Sequence, residues 1–276
     1  MDKFNKKDAI KYLGIYDKAF ENYFKNSSEI KGSKERGRWY FEKDELDNWN
    51  NLKKERTINL SLKEYEKCFE FAIKMVYGGL SLHGIRGKRS EVQAVDDVIL
   101  GILAEYAIKI FLKNKFNVDI ELDEEVHTSE ITPQDFHRVK DNGKLRLPFV
   151  GVGVKASKLK NAFLILGSNE IEREERKSDV YIFARVDLPS DHLFRILRDH
   201  SFFKDVSDFL DQSEGFKKIN ELKEIPVWIC GITYLEELEK VTEIPGQKFD
   251  NGHRYIKSVA NMHNSDEDWK IFIKKL

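Results

Sequence analysis

The chain has 276 residues, 41% of them hydrophobic and 12% aromatic, enough for a packed core in one large domain or in a small and a medium one. Charged residues reach 34% but the net charge is only −1, which excludes a disordered chain and a uniformly basic polyanion binder, so any nucleic-acid site must come from local clustering. Cys68 and Cys230 lie alone in apolar runs, which excludes a disulfide framework and a thiolate zinc site. With no signal-like N-terminus and no membrane-length apolar run, the expectation is a soluble cytoplasmic protein without membrane contact.

The first 56 residues read as a separate module. Asp8 to Gly14 is a short amphipathic helix ended by a glycine, and Tyr16 to Lys25 is a second, with Ala19, Phe20, Tyr23 and Phe24 on one side. Glu29 to Phe41 forms two β-like arms around a Gly/Ser/Lys/Arg tip, and Glu42 to Trp49 is a helix with Asp44 as its expected cap. Ala9 to Gly14, Arg38 to Phe41 and Asp44 to Trp49 resemble the pattern of the excisionase and MerR-type winged helices. That resemblance implies a second helix in the DNA major groove and Lys31, Lys34, Arg36 and Arg38 as phosphate contacts. The plain alternative is a small helical domain with a solvated charged hairpin, and Asp17 and Glu21 in the second helix speak for it.

Residues 51–57 are polar and basic, the expected joint to a second domain over 57–276. Residues 60–77 repeat apolar side chains at helical spacing, from Leu62 and Tyr65 to Ile73 and Val76. The glycine-rich stretch 78–90 carries Arg86, Lys88 and Arg89, which suit phosphate, or simply solvent. Residues 96–114 form the strongest helix. It is apolar almost all round, and between Val98 and Leu112 only Glu105 and Lys109 are charged. Glu105 either pairs with Lys109 or reaches a metal from the helix edge.

Asn142-Gly143 between alternating arms predicts a hairpin, with Asp135 early in its first arm. His137 beside it reads as a structural or solvated histidine. The second arm leads into a strand, Val150 to Lys158, whose valines share one face. Gly151, Gly153 and Lys155 share the other. Two glycines next to a lysine suggest room cleared for an anionic ligand. A strand at 162–166, a charged helix from Ser168 or Asn169 through Lys177, apolar strands at 180–186 and 227–232, a mostly helical stretch at 190–222 with an acidic patch over 205–211, and a tail helix at 266–275 complete the reading.

Glu105 on a helix, Asp135 on a hairpin arm and Lys155 on a strand follow the order of parts in the PD-(D/E)xK nucleases, which this chain resembles over about residues 96–186. The resemblance implies a mixed α/β fold, with a central sheet flanked by helices as in restriction endonucleases, plus the small N-terminal winged helix. It also implies Mg²⁺ as the cofactor, no small-molecule cofactor, double-stranded DNA as substrate and a homodimer that cuts both strands. Asp135 would be the main ligand, Val154 would lend its carbonyl and Lys155 would position or deprotonate the attacking water. Ser157, Lys158 and Lys160 would follow the DNA backbone. Gly153 stands where the family has an acid, so Glu105 or Glu170 must replace it, Glu105 being the first choice, or the site is inactive. The resulting expectation is a Mg²⁺-dependent endonuclease resembling type II restriction enzymes. A non-catalytic DNA-binding regulator with a degenerate core, or a repair or RNA-processing nuclease, are the rivals.

Overall fold

The structure is a computed structural model that describes residues 3–78, 90–122, 134–141, 143–197, 222–250 and 252–276. Arg86, Lys88, Arg89 and the acidic patch over 205–211 lie outside the described residues.

The chain opens with β1 (Lys3–Asn5), α1 (Lys6–Leu13), α2 (Asp17–Glu21) running into a π-helical turn (Asn22–Asn26), the hairpin β2 (Ser33–Glu35) and β3 (Arg38–Glu42), and α3 (Lys43–Glu55). Asn5 caps α1 by accepting from Asp8 N–H, and Gly14 ends it at φ 63°. β3 lies between β1 and β2 in one antiparallel sheet, so a strand unnoticed in the sequence completes the module. Asp44 is not the cap of α3: Glu42 takes that place and Asp44 sits in the first turn, where a carboxylate favours the helix dipole. Asp17 and Glu21 are neutralised within the module, Asp17 by Lys6 at 2.8 Å and Glu21 by Lys6 and by Lys25, the latter at 2.6 Å.

The expected joint at 51–57 is the end of α3, and Arg56 beyond it is 1% exposed. β4 (Thr57–Ser61) then enters the central sheet directly. Leu60 therefore belongs to a strand, and α4 (Leu62–Ile73) starts behind Ser61, whose side chain and that of Glu64 form a capping box. A π-helical turn (Lys74–Gly78) follows. α5 (Glu91–Phe116) is the long apolar helix, and ten of its side chains are buried, as its all-round hydrophobicity requires.

After α5 come β5 (Asp119–Leu122), β6 (Phe136–Asp141) and β7 (Lys144–Arg146), an antiparallel sheet in that order whose β6–β7 turn contains Gly143. β8 (Val152–Lys158), β9 (Phe163–Gly167), α6 (Ser168–Ile171), β10 (Val180–Val186), α7 (His192–Leu197) and β11 (Glu224–Tyr234) follow. α6 is shorter than the expected charged helix, and its N-cap is Gly167 rather than Ser168 or Asn169. The short strands β12 (Glu239–Val241), β13 (Glu243–Ile244) and β14 (Gln247–Lys248), then β15 (Arg254–Ser258) and α8 (Asp266–Lys275), complete the chain.

The central sheet has the order β4-β11-β10-β8, with β8 and β10 parallel and the other pairs antiparallel. All seven residues of β10 are buried, which explains its unbroken apolar run. Its alternating side chains divide between two cores. Val180, Ile182, Ala184 and Val186 pack with α4, α5 and α8 on one face. Tyr181 and Phe183 pack on the other with Leu164 and Leu166 of β9 and with Ala9, Phe20, Tyr23, Phe41 and Trp49 of the N-terminal module. A second sheet, β12-β15-β9, lies on that side.

The seam between module and sheet contains a buried ion pair. Arg185 Nη1 and Nη2 donate to Glu29 Oε2 and Oε1 at 3.1 and 2.9 Å, with the side chains 0% and 4% exposed. Lys53 lies 5.3–5.4 Å from the ring centres of Tyr23, Trp49 and Trp228. Burial among those rings lowers its ammonium pKa. Among the described residues no helix is long and apolar enough to cross a membrane.

Candidate active site

β8 lies at the end of the central sheet's strand order, and the segment at Asp135 is bonded to its outer edge. Asp135 N–H donates to the Val152 carbonyl at 3.0 Å, and Asp135 Oδ2 accepts from Val154 N–H at 2.5 Å. A strand residue turns its N–H and C=O to the same edge, so the Val154 carbonyl faces the Asp135 side as well. Asp135 is thus held by backbone bonds at the start of β6, as the hairpin reading required.

Lys155 projects from the sheet face shared with Tyr181 and Phe183. Its Nζ lies 2.7 Å from Glu170 Oε1 on α6, with the side chains 35% and 29% exposed. Burial alone would lower the ammonium pKa. The charges of Glu170 and then Asp135 more than offset it and hold the pKa above its ordinary value. Lys155 is therefore a fixed cation at neutral pH, and in this arrangement it can position and neutralise but not deprotonate water.

The two glycines beside Lys155 serve a different purpose from the one read in the sequence. A Cβ at Gly153 would stand 2.9 Å from Ser178 Oγ and 3.0 Å from two ring carbons of Tyr181. One at Gly151 would stand 2.4–2.7 Å from the Gln134 amide. The space directly over the two glycines is filled by those side chains, so the room read there in the sequence is not open. Tyr181 is fixed there because its hydroxyl accepts from Ser178 N–H at 3.0 Å. This packing is the steric reason that no carboxylate stands at position 153.

Glu105 projects from α5, which packs on the sheet face opposite Lys155. Its charge reaches Cys68 on α4, whose thiol pKa is pushed up to about 12, first by burial and then by Glu105. The carboxylate at Lys155 is Glu170, the second choice of the sequence reading. Lys158 is also placed differently. It points to the α5 face and pairs with Asp96 at 3.0 Å, and Ser157 Oγ turns to the Lys158 carbonyl at 3.3 Å. Lys160 is exposed, and its carbonyl accepts from Asn22 at 2.6 Å, which ties the N-terminal module to the turn after β8. Lys31, Lys34, Arg36 and Arg38 are all exposed, with Arg36 at φ 46° in the hairpin turn. His137 is exposed on β6.

Several residues escaped the sequence reading. Asp96 joins Lys158 to His192 at 3.0 Å, and His192 Nδ1 shares a hydrogen bond with the Tyr65 hydroxyl. Nothing in sequence spacing links residues 65, 96 and 192. Arg185 did carry a signal, since a cation within Val180–Val186 must find a partner, but only the fold names Glu29. Gln134, Ser178 and Tyr181 gave none.

The donor set beside Lys155 is oxygen only: the carboxylates of Asp135 and Glu170 and the Val154 carbonyl. Mg²⁺ takes one or two protein carboxylates with waters and substrate oxygens, so these residues fit it. Among the described residues no three His, Cys, Asp or Glu side chains converge as a metal cluster. Compared with known proteins, the chain matches no family model, no curated protein and no solved structure.

Proposed function

We propose that the chain is a Mg²⁺-dependent nuclease of double-stranded DNA, with the β1–α3 module acting as a winged helix that holds the duplex. One observation carries the reading: Lys155 is held 2.7 Å from Glu170, with the Asp135 charge acting on both its proton and the β8 edge. Two carboxylates and a lysine at one strand suit phosphodiester hydrolysis, in which negative charge grows on the phosphoryl oxygens. A bound Mg²⁺ would supply an activated water and Lewis acidity. Asp135 and Glu170 would hold the ion, and the Lys155 ammonium would stabilise the charge developing on phosphorus. The exposed Lys31, Lys34, Arg36 and Arg38 suit phosphate contacts, and a second copy of the chain would cut the other strand.

The second reading is a DNA-binding regulator without catalysis. It is favoured by the Tyr181 and Ser178 packing at Gly153, which closes the usual ligand position. Incubating plasmid with the protein in Mg²⁺ or in EDTA, beside a gel-shift assay in EDTA, separates the two. Metal-dependent cutting supports the nuclease, and a shift with no cutting on any methylated or unmethylated DNA supports the regulator.

A further inference from the structure

A cavity of about 90 Å³ lies in the seam between the N-terminal module and the sheet. Glu29, Lys31, Trp49 and Arg56 line it from the module side, and Trp228 and Asn264 from the other. We infer that this cavity is a binding site for one small oxyanion of the phosphate type, free or at the end of a nucleic-acid strand.

Donor and acceptor balance carries the inference. Trp49 Nε1 and Arg56 Nη1 are buried without a hydrogen-bond partner. Trp49 is 8% and Arg56 1% exposed, and leaving such groups unpaired is costly. The acceptors in the same wall are already taken. Both Glu29 oxygens accept from Arg185, and the Asn264 carbonyl accepts from Arg56 Nε and Nη2 at 3.3 and 2.9 Å. Arg56 Nη2 also pairs with the Asp266 carboxylate at 2.5 Å, and the Cys230 thiol points to the Trp228 carbonyl at 3.6 Å, which leaves Arg56 Nη1 as the free arm of the guanidinium. What remains are two unpaired buried donors, Trp49 Nε1 and Arg56 Nη1, in a wall that also includes the exposed residue Lys31. Water brings donors as well as acceptors, whereas an oxyanion brings acceptors alone and gains charge-assisted bonds. The volume holds several waters, enough for a tetrahedral oxyanion. This site shares no residue with Asp135, Lys155 and Glu170 and stands whether or not they cut DNA.

The test is calorimetric titration of the full chain with inorganic phosphate in EDTA, repeated with Trp49→Phe, which keeps a ring and removes the N–H. Saturable one-to-one binding is expected, weakened about tenfold in the variant by loss of one buried bond to an anion. No saturable binding at tens of millimolar phosphate, or equal affinity in parent and variant, overturns the proposal and leaves the cavity to water. Should Trp49→Phe fail to fold, Lys31→Ala decides: weaker phosphate binding upholds the site and unchanged binding overturns it. Titrating a 5′-phosphorylated oligonucleotide and its dephosphorylated twin identifies the source. Tighter binding of the phosphorylated strand, relieved by inorganic phosphate, assigns a strand terminus. Equal binding of both, with inorganic phosphate itself bound, assigns the free ion.

Discussion

At the scale of single residues, Gly153 and Glu170 belong to one arrangement. Tyr181 and Ser178 occupy the volume a side chain at 153 would need, and the carboxylate that reaches Lys155 comes from α6 instead. Restoring an acid at 153 should therefore not improve the site. Gly153→Asp is expected to cost about 1–3 kcal/mol through overpacking, read as a lower midpoint in urea, with no gain in metal-dependent cutting. The sequence showed the lysine, Asp135 and the missing acid, because these lie within a few residues of recognisable strand and turn patterns. It ranked Glu105 above Glu170, because apolar periodicity marks a central helix without saying which face of the sheet it covers. Lys155 itself has a raised pKa, so its pairing contributes stability below the ordinary 10.5 and loses it as pH rises through the raised value. With a third of the side chain exposed, solvent screens much of that contribution.

Between elements, two buried polar contacts join parts that are distant in sequence. The Glu29–Arg185 pair joins the module to β10 across 156 positions. Glu29→Ala leaves a buried guanidinium uncompensated, with an expected loss of about 3–5 kcal/mol in denaturant unfolding. Asp96 joins α5 to β8 through Lys158 and to α7 through His192. The hydrogen bond from His192, and then that from Lys158, hold its carboxyl below the ordinary 3.8 against the effect of burial. A depressed carboxylate stabilises the fold above that ordinary value and stops doing so as pH falls through its lowered one. Acid unfolding followed by circular dichroism should show a limb below pH 3.8 that Asp96→Asn flattens. Helices and strands with strong periodicity were legible from sequence, among them α5, β8, β10 and α8. Residues 51–57 show why a polar, basic stretch alone says little about structure: it ends α3, while Lys53 and Arg56 turn inward to aromatic rings.

For the whole molecule, the sheet is buried on both faces, and its two cores do different work. One packs β8 and β10 against α4 and α5, and the other seats the N-terminal module and the β12-β15-β9 sheet beside Lys155. The module is thereby held next to the turn that leaves β8. Such long-range placement is invisible to local pattern, since it depends on which strands become neighbours. The central claim is that Lys155, Glu170 and Asp135 form the catalytic site and that Glu105 does not. Single-turnover cleavage of plasmid in Mg²⁺ by Lys155→Ala, Glu170→Gln, Asp135→Asn and Glu105→Gln tests it most directly. The first three should lose about a hundredfold or more in rate while remaining folded by circular dichroism, and Glu105→Gln should cut at close to the parental rate. Undiminished cutting by Lys155→Ala, or a loss in Glu105→Gln as deep as that in Glu170→Gln, would contradict the account.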